Sequence, residues 1–168
     1  NEMHPAAERF AMQPDGNHLF NGFHFAGPGR GLSIDSQGPV LPNLAGLSED
    51  LSSRMQWASL FPNAAINICP SNLQFLAFEP NGVHRSVVHM WFYFAGDAAH
   101  SSTHREARER LYAEWINLNA EDEGVCQRLQ QGRGCDAYDG GRLAPYWDTG
   151  TVHFHKQIAH AIHRSGGV

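Results

Sequence analysis

The sequence predicts an α+β domain built from an antiparallel sheet packed against one long helix. Two observations carry this. Three strand-like runs follow one another closely, separated by turn signals, and only after them does the helical period appear. The helical stretch is long: Arg105 to Gln131 holds no Pro and one Gly, with apolar residues at Leu111, Trp115, Leu118, Val125 and Leu129. Alternating steps of four and three give the buried stripe of an amphipathic helix.

The elements are justified in order. Residues 1 to 16 are mixed and polar, and read as irregular or a short helix. His18 to Phe25 is aromatic-rich and suits a strand. Gly27 to Leu51 is rich in Gly and Pro and reads as a long loop, either a pocket entrance or a surface insertion. Ala64 to Cys69, Asn72 to Phe78 and Val83 to Phe94 are the three strand candidates. Pro70-Ser71 separates the first two, and Asn81-Gly82, a hairpin signal, precedes the third. The long helix follows. Gly132, Gly134, Gly140 and Gly141 then make a loop, and Thr151 to His163 forms a last helix.

Composition bounds the function. With 168 residues, 42% of them apolar and 17% charged, the chain can form one domain with a core. A net charge of −5 argues against a nucleic-acid binder. No apolar run is long enough to span a bilayer, and Asn1 to Phe20 lacks the apolar core of a secretory leader. Cys69, Cys126 and Cys135 show no paired spacing of a disulfide framework or zinc site, so a reducing cytoplasm is the expected compartment. The chain opens at Asn1 rather than Met, which suggests the C-terminal portion of a longer protein.

The helical stripe demands an apolar residue at position 122 and receives Asp122. A carboxylate on a core face is costly unless paired, protonated or bound to a metal. A slightly rotated helix with Asp122 at its rim, or a buried ion pair, would also account for it.

Several short motifs occur in order. They are Leu60-Phe61-Pro62-Asn63, Glu121-Asp122 followed by Cys126 and Gln130-Gln131-Gly132, Gly141-Arg142-Leu143-Ala144-Pro145, and Val152-His153-Phe154-His155. Together, from about Leu60 to His160, they resemble the catalytic domain of the large (alpha) subunit of Rieske-type ring-hydroxylating oxygenases. The resemblance implies a helix-grip (START/SRPBCC-like) fold over residues 1–168. It also implies a mononuclear Fe(II) held by two histidines and one carboxylate, which activates O2 to mono- or dihydroxylate an aromatic or other small apolar substrate. Asp122 maps onto the carboxylate, with Glu121 as the fallback. His4-Pro5 resembles the second histidine and its proline. The first histidine would precede Asn1.

Trp115 and Leu118 are the expected pocket wall. His153 and His155 belong to a motif the family keeps for packing. His84 and His89 are read on opposite faces of one strand, and His18 and His24 are weaker candidates. The family's [2Fe–2S] Rieske cluster needs a Cys-x-His and Cys-x-x-His pair, which nothing here matches. The Rieske domain is therefore expected outside these residues, and the chain alone is expected to be inactive. The implied partners are a reductase or ferredoxin, two further subunits of a homotrimer, and in some members a small beta subunit. A different class of protein uses the same architecture: metal-free helix-grip domains that bind apolar ligands, in which Asp122 would be a buried polar anchor.

Overall fold

The computed structural model describes residues 7–8, 18–24, 40–145 and 148–166, with side chains from residue 40 onward. Six strands form one antiparallel sheet in sequence order, so each pairs with its neighbour along the chain. They are β1 (Ala7–Glu8), β2 (His18–His24), β3 (Arg54–Leu60), β4 (Ala64–Ile68), β5 (Leu73–Pro80) and β6 (Ser86–Tyr93). Four α-helices and a short 3-10 helix (Ser102–His104) complete the described elements: α1 (Glu49–Ser52), α2 (Asp97–His100), α3 (Arg105–Arg133) and α4 (Thr149–Arg164). The expected α+β class and the meander on one long helix are found. Two strands were not foreseen: β3, and β1 inside a segment read as irregular.

The Asn81-Gly82 hairpin is present but wider than a two-residue turn. Pro80 pairs with Ser86, Asn81 N–H donates to Arg85 O (2.9 Å), and Gly82 takes φ +80°. His84 therefore sits exposed in the loop, not on the strand.

The core lies between α3 and one face of the sheet. Met55, Cys69 and Trp115 are buried together, with Trp57, Met90, Phe92, Leu111 and Leu118 packed around them. A second cluster of Leu41, Ala98 and Ala107, with Phe94 and Leu111, holds the start of α3. Leu41 comes from the Gly/Pro-rich segment, so the described end of that segment packs against the helix start. Gly27 to Pro39 lie outside the described residues. Arg108 ties α3 to the preceding turn, its Nη1 donating to Ala98 O (2.7 Å) and Ser101 O (3.2 Å). The Tyr112 ring meets Phe92 edge-on, centroids 4.9 Å apart, which fastens α3 over β6.

The helix outruns its support. Its 29 residues extend about 43 Å at 1.5 Å each. The longest strands, 8 residues, reach about 26 Å, and six strands side by side cover about 24 Å. After Leu118 almost every residue of α3 is exposed.

Candidate functional site

Asp122 is exposed, contrary to the burial its place on the stripe predicts. The reason is the length mismatch, not a wrong period. Trp115, Leu118, Asp122 and Val125 still fall on one side of a continuous helix. Trp115 is 7% exposed and Leu118 packs on the core, whereas Val125 and Leu129 are 46% and 57% exposed. The stripe continues past the end of the sheet, and no described element covers it.

Among the described residues no three His, Cys, Asp or Glu side chains are grouped so as to hold a metal ion. The described residues alone do not fit a mononuclear iron centre: they offer the Asp122 carboxylate, with Glu121 and Glu123 beside it in sequence and no imidazole grouped with it. His4 lies outside the described residues, and so do the side chains of His18 and His24. His89 shares a face of β6 with Trp91, and Met90 and Phe92 take the other face, toward α3. It is thus on the far side of the sheet from Asp122, bonded to Glu79 (Nε2 to Oε2, 2.9 Å) and stacked on Trp91.

The residues expected as a pocket wall lie in the packed core. Trp115 and Leu118 face the sheet beside Met55 and Cys69. Opposite them lies a feature the sequence reading missed. Asn67 and Gln74 are register partners on β4 and β5, and both are buried. Asn67 Nδ2 donates to Gln74 Oε1 (2.9 Å), and Gln74 Nε2 donates to Asn72 Oδ1 (2.9 Å). Gln74 Nε2 also lies 3.9 Å from Cys69 Sγ. Trp57, Asn67, Gln74 and Phe92 form one row across the sheet. The apolar residues beside them, Ile68 and Leu73, are 40% and 36% exposed on the other face. Alternation of polar and apolar residues would have put the amides outside; amides at matched positions on two adjoining strands were the available signal.

Burial pushes the Cys69 thiol up to about 12. Cys126 and Cys135 are exposed. At pH 8 a thiol reagent should consume two equivalents quickly, and the third only after denaturation. Three fast equivalents would contradict the packing of Cys69 under Trp115.

The remaining motifs fall at the sheet's edge and over α4. Asn63 pins the β3–β4 turn to β5, its Nδ2 donating to Phe78 O (3.1 Å) and its backbone O accepting from Phe78 N–H (2.8 Å). The Phe61 ring meets Phe154 of α4 edge-on, centroids 5.7 Å apart. Two motifs far apart in sequence therefore touch. Gly141 takes φ +67°, which a side chain disfavours, and the turn it opens closes on α4, where Asp148 Oδ2 accepts from Ala144 N–H (2.6 Å). Of the packing motif, Phe154 and the half-buried His153 face inward, but His155 is exposed and does not pack as expected.

The profile of the family described as ring hydroxylating alpha subunit (catalytic domain) matches residues 3–164. The chain belongs to that family. The match spans nearly the whole chain, including His4, Asp122 and all four motifs. No curated protein matches it. As an alpha-subunit catalytic domain it has the α+β, helix-grip-like architecture expected for it. Among the described residues no helix is long and apolar enough to cross a membrane.

Proposed function

We propose that this chain is the catalytic-domain portion of a Rieske non-haem iron oxygenase that hydroxylates an aromatic or other small apolar substrate. The observation that carries the reading is the family match over residues 3–164, which includes both Asp122 and His4. Asp122 and His4 are the proposed ligands of Fe(II), with a further histidine contributed from outside residues 1–168. When bound, the iron supplies oxygen activation, with electrons delivered from a Rieske [2Fe–2S] cluster by a reductase or ferredoxin.

The chain's own residues supply the rest. Trp115 and Leu118, packed on Met55 and Cys69, are the apolar wall proposed to hold a flat hydrocarbon skeleton and exclude water. Asp122 lies on the same side of α3, two turns further along, so a molecule held against Trp115 reaches toward the carboxylate. A homotrimer, with or without a beta subunit, and a cytoplasmic setting belong to the same proposal.

The test is to assemble the oxygenase with its Rieske domain, supply Fe(II) and reductase, and look for hydroxylated products from a panel of arenes and aryl ethers. His4→Ala should lower iron content and turnover together. An enzyme that retains no iron and makes no product overturns the proposal. The exposure of Asp122 favours a second reading, a metal-free helix-grip domain that binds an apolar ligand. Ligand binding unaffected by iron, with no turnover, is the result that would support it.

A further inference from the structure

Two buried side-chain polar atoms among the described residues have no hydrogen-bond partner: Asn43 Oδ1 and Trp115 Nε1. Trp115 is the more telling. Its residue is 7% exposed, and its N–H is a donor only. A buried donor left unpaired costs as much as a lost hydrogen bond, so such groups are rare and call for a partner.

The neighbouring amides do not provide one. Gln74 spends its Nε2 on Asn72 Oδ1 and Cys69 Sγ, and its Oε1 accepts from Asn67. Asn72 Nδ2 donates to Ser71 Oγ (3.0 Å). The network lies in one row with Trp57 and Phe92 and reaches Cys69, yet Trp115 Nε1 bonds to none of it. A lone water is a poor partner too, since it needs two to four polar neighbours. Of the hydrophobic residues around Trp115, Met55 and Met90 offer only a weak thioether acceptor and Trp57 only a donor.

Building on the substrate-binding role proposed for this face, we propose that Trp115 Nε1 is a specificity contact that donates to a neutral oxygen acceptor on the substrate. The substrate class is an apolar ring system bearing a ketone, ether or amide oxygen. A carboxylate fits less well, because burying its charge among Met55, Phe92, Leu111 and Leu118 costs far more than burying a neutral oxygen. The helix sets the size. Seven residues separate Trp115 from Asp122, about 10.5 Å along the axis. A molecule anchored at Trp115 and presenting its far ring at the level of Asp122 has about two fused rings.

The test compares two probes of matched shape, 2-acetylnaphthalene and 2-isopropenylnaphthalene, which differ by a carbonyl oxygen against a methylene. Their dissociation constants are measured by calorimetry on the full-length oxygenase and on its Trp115→Phe variant, which keeps an aromatic ring and removes the N–H. The wild type should bind the ketone about tenfold more tightly than the alkene. Trp115→Phe should abolish that preference, bringing the two dissociation constants to within about twofold of each other. Equal affinity for the two probes in the wild type, or equal weakening of both in the variant, overturns the specificity role while the pocket stands. Failure of both probes to bind the wild type overturns the pocket and the contact together. The wild-type comparison decides by itself should the variant not fold.

Discussion

Replacing Asp122 by alanine in the assembled oxygenase should remove its iron and its turnover while leaving the fold in place. Changing a group one shell away from a metal typically costs 10–100-fold in affinity or activity. Loss of a direct ligand should therefore exceed about 100-fold in turnover, with iron falling to a few per cent of one per site. The structure adds a prediction about stability. Asp122 is exposed on the part of α3 that no described element covers, and alanine is the better helix former. Its removal should shift the unfolding free energy of the iron-free protein by no more than about 0.5 kcal/mol. Iron content by mass spectrometry, product formation and a urea melt check the three parts. A variant that keeps its iron and activity would sink the ligand assignment. Unchanged activity in Asp122→Ala together with loss in Glu121→Ala would move the role one residue back.

Trp115→Ala should have the largest effect on stability. Ala107 and Trp115 are the two buried residues of α3, and only Trp115 has a large side chain. It is the wedge between the helix and Met55 and Cys69. Truncating a buried tryptophan costs about 3–5 kcal/mol, partly because the vacated volume collapses only in part. The urea midpoint should fall accordingly, and Cys69 should become reactive toward thiol reagents at pH 8. A loss below about 1 kcal/mol would mean that α3 is held elsewhere. The contrast with Trp115→Phe separates packing from hydrogen bonding at one position.

The parts of this fold that rest on local chemistry were legible in the sequence. Pro70-Ser71 and Asn81-Gly82 mark turns because of what their backbones permit, and the strands on either side follow. β3 was hidden by the Ser/Gly-rich approach to it and by its lack of β-branched residues, although Met55 and Trp57 alternate correctly with Gln56. The helix and its stripe were read in the right phase. What period cannot reveal is how far the partner surface extends, so it indicated the face Asp122 occupies and not whether that face is covered. Asn67 and Gln74 were illegible for another reason. Alternation identifies two faces of a strand but assumes that the apolar one points inward, and here a closed amide network reverses the assignment.

The overhang of α3 has a consequence for how the protein breathes. Residues 105–118 are held by aromatic contacts and the core. Residues 119–133 rest on helical propensity and isolated side-chain pairs such as Gln127 with Glu123 (3.0 Å). Gly124 and Gly132 each weaken that stretch by about 1 kcal/mol relative to alanine. A helix of about fifteen residues without a packed face is marginal in water. Backbone amides beyond Leu118 should exchange with deuterium far faster than those before it, as a separate unit that opens at low free energy. The carboxylate then rides on the less protected half of the longest described helix. Whatever surface closes over it must also supply the free energy that orders it, and protection of those amides would report that closure directly.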